Sequence, residues 1–213
     1  MDLSSSVAHW SRWSPRRVAL RFEERAITYA ELEHRVSGVA AWLTEREAIA
    51  GERVAYLGPN SPELLELLLA CARTGAIFVP LNSRMPAPEL RALVGHSRPR
   101  LMVAEDAFLE TAREAVPDAS EADVVPFELG GDGLPVRTAP ADAPPTDLSA
   151  PVLIAYTSGT TGQPKGAVFT NLHLIFNALN ALTSFGLTAE DQVLTVIPMF
   201  HVGGLLIQTT PAL

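Results

Sequence analysis

The sequence is poor in the features that would place it in several broad classes. It has one cysteine, Cys71, which excludes a disulfide framework and a cysteine-ligated metal site. Cys71 falls within a leucine-rich helical stretch and reads as a small core residue. No Lys/Arg cluster offsets the net charge of −8, which argues against non-specific nucleic-acid binding. Met1 to Ser6 has neither a basic start nor an apolar core, so no secretory leader is read there. The stretch from Ala167 to Thr188 has no Asp, Glu, Lys or Arg. It is interrupted by Asn171, His173, Asn177, Asn180 and Gly186, and reads as a buried helix, not a membrane span. A cytoplasmic, reducing location fits these features.

What remains is ordinary for a globular chain of 213 residues, with 47% hydrophobic and 19% charged residues. Such a chain can bury a sizeable core. From the N-terminus, an amphipathic segment around Trp10 and Trp13 precedes a small hairpin, Val18 to Ile27. Thr28-Tyr29-Ala30-Glu31 is a capping box, and it opens a helix with Leu32, Val36, Val39, Ala40 and Leu43 on its apolar face. Arg53 to Leu57 reads as a strand. Ser61-Pro62-Glu63 reads as an N-cap with proline at the first helical position. The helix that follows, Leu64 to Arg73, carries leucine almost all round. Ala76 to Pro80 and Leu101 to Ala104 are further strands, with a helix from Pro86 to Val94 between them. Alternating strands and helices predict an α/β fold with layered parallel-sheet subdomains.

The stretch 130–151, rich in proline, glycine and alanine, reads as a linker. It divides an N-terminal α/β unit, 1–129, from a second unit, 152–213. The second unit is expected to contain a strand, a loop, a strand, a helix over Leu172 to Ser184 with Asn171 as its cap, and a strand over Gln192 to Ile197. Val202 to Leu213 is uncharged and apolar. As the end of a truncated chain, it is expected to leave an apolar face exposed and open to self-association.

The chemistry concentrates in Tyr156-Thr157-Ser158-Gly159-Thr160-Thr161-Gly162-Gln163-Pro164-Lys165-Gly166. Four aliphatic hydroxyls, three glycines and one lysine fall within these eleven residues. Glycines let backbone approach a ligand. N–H groups, hydroxyls and a lysine converging on one space suit a polyphosphate. Apolar runs on both sides tether the stretch to a sheet, as befits a functional loop on a rigid scaffold. The spacing excludes the P-loop of NTPases. Gly159 and Gly162 are too close together, Gly166 stands where that motif places a hydroxyl, and a strand follows in place of a helix. A Ser/Thr/Gly surface loop without a ligand would not need such a concentration of glycine and lysine.

This loop resembles the phosphate-binding motif of the adenylate-forming enzymes, which include acyl-CoA and aryl-CoA synthetases, peptide-synthetase adenylation domains and firefly-type luciferases. Pro198-Met199-Phe200-His201-Val202-Gly203-Gly204 matches a second family element. Gly51 to Ala55 and Gly75 to Asn82 match upstream ones. The resemblance runs from about Ser14 to the end, and family members are more than twice this long, so the chain is expected to be an N-terminal part. The resemblance implies an enzyme that joins a carboxylic acid to ATP as an acyl-adenylate and then passes the acyl group to coenzyme A, with Mg²⁺ accompanying the nucleotide. It assigns Thr157, Ser158, Gly159, Thr160, Thr161, Gly162 and Lys165 to ATP phosphates, and Phe200, His201 and Gly203 to the acid. Outside this resemblance a lone histidine ordinarily fills a core or turn.

Phe200, Val202 and Leu205, with no acidic residue nearby, point to an apolar acyl or aryl chain, with a fatty acid preferred. An aryl-CoA or dicarboxylate-CoA ligase, or an enzyme loading a carrier protein, is the enzyme alternative. A non-catalytic nucleotide-binding module is the alternative from another class. The family's magnesium-placing glutamate, ribose-binding aspartate and C-terminal lysine belong to later motifs. No catalytic or metal-ligating residue is therefore assigned here, and the chain alone is expected to lack ligase activity.

Overall fold

The computed structural model describes residues 2–118, 120, 122–127, 147–157 and 165–213. Helix α1 (Ser4–Trp13) and an antiparallel hairpin, β1 (Val18–Phe22) and β2 (Arg25–Thr28), lead into α2 (Tyr29–Glu45). The capping box forms as the sequence predicts. The Thr28 side chain accepts from the Glu31 N–H, and the Glu31 carboxylate accepts from the Thr28 N–H at 2.7 Å. The Thr28 N–H and the Thr28 hydroxyl both donate to the Glu31 carboxylate and hold that carboxyl below its usual range.

The main body is a six-stranded sheet. It comprises β3 (Arg53–Leu57), β4 (Ile77–Leu81), β5 (Leu101–Glu105), β6 (Asp123–Phe127), β7 (Pro151–Thr157) and β8 (Lys165–Thr170), in the order β6-β5-β3-β4-β7-β8. All neighbours are parallel except β8, which runs antiparallel to β7. The α/β reading therefore holds, with a mixed sheet. Strands β7 and β8 continue the sheet begun by β3 to β6. Most of the expected linker lies outside the described residues.

Alternation along each strand sorts side chains to two faces. Val54, Tyr56, Phe78, Leu101, Val103 and Leu153 meet α2 and α3 (Pro62–Thr74). Ala55, Leu57, Val79, Leu81, Met102 and Ala104 meet α4 (Ala87–Ser97) and α5 (Leu109–Ala115). A sheet covered on both faces explains the continuous apolar runs of β3, β4 and β5. Ser61 caps α3 by accepting from the Leu64 N–H, and Gly75 ends it in the left-handed conformation at φ 79°. Cys71 is buried, and burial raises its thiol pKa. Two glutamates interrupt the leucines of α3. Glu63 and Glu66 are buried, with Arg25 of β2 paired to Glu63 and Arg35 of α2 paired to both.

Four expectations are corrected. Gln192 to Ile197 forms no strand, and Leu194 and Val196 are 84% and 76% exposed. The pattern suits a strand, but no described strand lies beside it, and pairing decides whether such a pattern becomes one. Helix α6 (Asn171–Phe185) is not a buried helix. It buries only Asn171, Leu174 and Ala181, and leaves Phe176, Leu179 and Phe185 at least half exposed. It follows β8, the edge strand, so one narrow stripe finds a neighbour. Its N-cap is Thr170, not Asn171. Thr170 Oγ1 accepts from the His173 N–H at 3.3 Å, and His173 Nδ1 accepts from the Thr170 N–H at 3.1 Å. Finally, Val202 to Leu213 is not an exposed apolar end. Helix α7 (Val202–Leu206) and the turns after it bury Leu205, Leu206 and Leu213, and the Tyr29 hydroxyl donates to the Leu213 carbonyl.

Candidate functional site

Strands β3, β4, β5, β6 and β7 share one direction, so the chain leaves all of them at the same carboxyl edge. From β3 the chain connects to β4 on one side, and β5 lies on the other. The strand order therefore reverses around β3. In open α/β sheets that edge, at such a reversal, is where ligands bind.

The hydroxyl- and glycine-rich loop leaves from this edge. Thr157, the last residue of β7, is the cross-strand partner of Lys165, the first of β8. The Thr157 hydroxyl donates to the Lys165 carbonyl at 3.5 Å. Ser158, Gly159, Thr160, Thr161 and Gly162 lie between these ends, outside the described residues. Thr157 and Lys165 are both exposed, and Lys165 is the only lysine in the sequence.

The base of the loop is held firmly. The Tyr156 hydroxyl is bonded to His96 Nδ1 at 2.7 Å and lies 3.4 Å from the Leu93 carbonyl, which ties β7 to α4. Burial raises the Tyr156 pKa. A Cβ at Gly166 would fall 2.9 Å from Ile154 Cγ2, so glycine there lets β8 pass close to β7.

The second expected site segment lies over the same edge. His201 caps the short helix α7, its Nδ1 accepting from the Gly203 N–H at 3.2 Å. An accepting Nδ1 puts the ring proton on Nε2. His201 is exposed, so its Nε2–H is open to a ligand. Phe200 is half-buried, and the Gly203 N–H is already committed to His201. Gly204 is the glycine required by close packing. A Cβ there would fall 2.6 Å from the Ile197 carbonyl oxygen and closer still to that of Pro198. Leu205 is a core residue, so of the apolar trio only Phe200 and Val202 retain partly exposed surface.

Three residues at this edge are silent in the sequence. Tyr56, in β3, and Glu105, at the end of β5, are both buried, and the Tyr56 hydroxyl donates to the Glu105 carboxylate. Burial, then this hydrogen bond, raises the Tyr56 pKa. The Glu105 carboxyl is raised by burial against the opposing pull of Tyr56. Asn60, in the β3–α3 connection, bonds the backbone of Ile197 and Met199. Only Asn60's place beside the Ser61-Pro62 cap could have drawn attention to it, and that reads as a turn.

Among the described residues no group of three or more His, Cys, Asp or Glu could hold a metal ion. No described helix is long and apolar enough to cross a membrane. A cleft of about 460 Å³ lined by Arg53, Arg98 and Arg100 lies at the opposite, amino edge of β3 and β5. Arg53 spends its donors there on the Ser97, Gly51 and Arg98 carbonyls.

Comparison with known proteins matches residues 7–213 to a family described as AMP-binding enzyme. The chain is 41% identical to an indoleacetate–CoA ligase of Aromatoleum aromaticum, over 100% of this chain and 43% of the relative. It is 38% identical to a feruloyl-CoA synthase of Amycolatopsis sp, over 99% of this chain and 42% of the relative. The chain thus spans about two fifths of these curated relatives. Its fold is similar to the crystal structure of VinN, with a TM-score of 0.84 at 26% identity, covering 100% of this chain and 55% of that one.

Proposed function

Because this chain belongs to the AMP-binding enzyme family, we propose that it supplies the phosphate-binding side and part of the acyl-binding side of an ATP-dependent acid–thiol ligase. The observation that carries this reading is the pairing of Thr157 with Lys165 at the carboxyl edge of the sheet. It makes both ends of the hydroxyl-rich loop converge on one exposed space.

The chemistry begins with a carboxylate oxygen attacking the α-phosphorus of ATP. The bond to the β-phosphate oxygen breaks, and its electron pair leaves with pyrophosphate. Hydroxyls of Ser158, Thr160 and Thr161 donate to the β- and γ-oxygens, joined by Thr157 when its hydroxyl exchanges the Lys165 carbonyl for a phosphate oxygen, and Lys165 offsets charge on the departing group. Gly159 and Gly162 let backbone N–H groups approach the same oxygens. The acyl-adenylate is then attacked at its carbonyl carbon by the thiol of coenzyme A, expelling AMP. Phe200, His201 and Gly203 flank the acid, and the His201 Nε2–H suits an acyl oxygen. Mg²⁺ enters with the nucleotide.

The acid is proposed to carry an apolar group. Phe200 and Val202 fit either an aryl or a fatty chain, and the names of the relatives at 41% and 38% identity favour the aryl reading. A cytoplasmic location belongs to the same proposal.

The test is ATP–pyrophosphate exchange across short, medium, long and aromatic acids, run on this chain and on the longest product of its reading frame. Exchange confined to the longer product is expected, and the best acid then identifies the substrate class. Tight ATP binding without exchange in either would favour a non-catalytic nucleotide-binding module.

A further inference from the structure

A carboxamide carries both a donor and an acceptor, and Asn60 uses both on one distant piece of backbone. Its Nδ2 donates to the Ile197 carbonyl at 3.0 Å, and its Oδ1 accepts from the Met199 N–H at 2.7 Å. The side chain thus pairs with residues 197–199 much as a neighbouring strand would. The run just before them, residues 192–196, has no strand pairing of its own. The His201 N–H bonds the Pro198 carbonyl at 3.2 Å, and Gly204 packs against the Ile197 and Pro198 carbonyls. The placement of His201 therefore traces back to Asn60.

The other end of this link is fixed by the sheet. The Tyr56 hydroxyl, besides donating to Glu105, lies 3.1 Å from Ser61 Oγ and 3.3 Å from the Pro59 carbonyl. Both neighbours of Asn60 are tied to the carboxyl ends of β3 and β5 in this way. Lys165 and Thr157, by contrast, are held by the β7–β8 ladder, which does not depend on Asn60.

We propose that Asn60 is a positioning residue that sets the acid-facing segment, Phe200 to Gly203, against the sheet, while leaving the phosphate side alone. This rests on the acid–thiol ligase reading for its kinetic consequence, but not for its structural one. The test uses the longest product of the reading frame, with Asn60→Ala, Asn60→Asp and, as a control for lost stability elsewhere, Thr28→Ala.

Hydrogen exchange is read first. Asn60→Ala is expected to speed exchange at least tenfold in peptides covering 197–206, with α4 and β7 unchanged. Asn60→Asp, which keeps the acceptor for the Met199 N–H, should fall between Ala and the parent. In pyrophosphate exchange, Asn60→Ala should raise KM for the acid about tenfold and leave KM for ATP within twofold, while Thr28→Ala moves neither. Unchanged exchange at 197–206, exchange rising throughout the protein, or equal changes in both KM values would overturn the proposal. A parent that supports no exchange with any acid would sink the ligase reading instead, and the hydrogen-exchange result would still decide whether the clamp exists.

Discussion

The Tyr56 hydroxyl donates to the Glu105 carboxylate across two adjacent parallel strands, with both groups buried. Glycine at 58 makes room for the pair, since a Cβ there would lie 2.6 Å from the Tyr56 hydroxyl and 2.8 Å from the Glu105 carboxyl. Burial raises the Glu105 pKa, so the folded state holds its proton to higher pH than the unfolded chain does. The contribution of this group to stability is therefore greatest below the ordinary glutamate value. It declines as pH rises through the raised one. Glu105→Gln keeps an oxygen for the Tyr56 hydroxyl and removes the titration. Urea melts of the parent and Glu105→Gln should diverge as pH rises above the ordinary glutamate range, about 4, with the variant gaining relative stability. Glu105→Ala, which removes the acceptor, should cost about 1–3 kcal/mol.

Lys165 is the only lysine in the sequence, so this chain carries two primary amines, its Nζ and the N-terminus. If the loop binds ATP phosphates, an amine-reactive probe read by mass spectrometry should label Lys165 more slowly with ATP present, while labelling of the N-terminus is unchanged. Lys165→Ala should weaken ATP binding about 10- to 100-fold, the loss of one charge-assisted hydrogen bond. Equal labelling with and without ATP would count against the phosphate role.

The two adjacent glycines of α7 should respond differently. At Gly204 a Cβ would collide with backbone carbonyl oxygens, which cannot swing aside like a side chain. Gly204→Ala should cost about 3 kcal/mol in a thermal or urea melt. At Gly203 the nearest atom to a Cβ is His201 Nδ1 at 3.5 Å, an ordinary contact. Gly203→Ala should stay within about 0.5 kcal/mol of the parent.

Helix α6 begins with a capping box in which histidine occupies the position usually held by Glu or Gln. Thr170→Ala should cost about 1 kcal/mol. His173→Glu should keep the reciprocal bond and add a favourable charge at the helix N-terminus, raising stability by about 0.5 kcal/mol. Circular dichroism melts would reveal either departure.

The parts of this fold that could be read in advance are those with local causes. The Thr28–Glu31 box, the Ser61–Pro62 cap and the buried runs of β3, β4 and β5 each depend on residues a few positions apart. The loop motif from Tyr156 to Gly166 was legible because its residue types are concentrated. What escaped depends on distant partners. Gln192 to Ile197 has the composition of a strand but no described neighbour to pair with. The apolar residues of α6 carry no mark of which face will be covered. Strand β6 includes Pro126 and begins on Asp123, a weak strand signal. The role of Asn60 is invisible locally, because both its partners come more than 130 residues later.

That separation has a consequence for how the molecule assembles. Contacts so remote in sequence must await the elements that bring their ends together, because closing a long loop before then sacrifices chain entropy without return. The clamp between Asn60 and residues 197–199 cannot form until the β3–α3 connection is in place and the chain has passed through β7, β8 and α6. The segment Phe200 to Gly203 is thus among the last parts to settle in folding and, by the same reasoning, among the first to come loose under mild denaturant. A protein partly opened in this way would retain its sheet after losing its grip on His201.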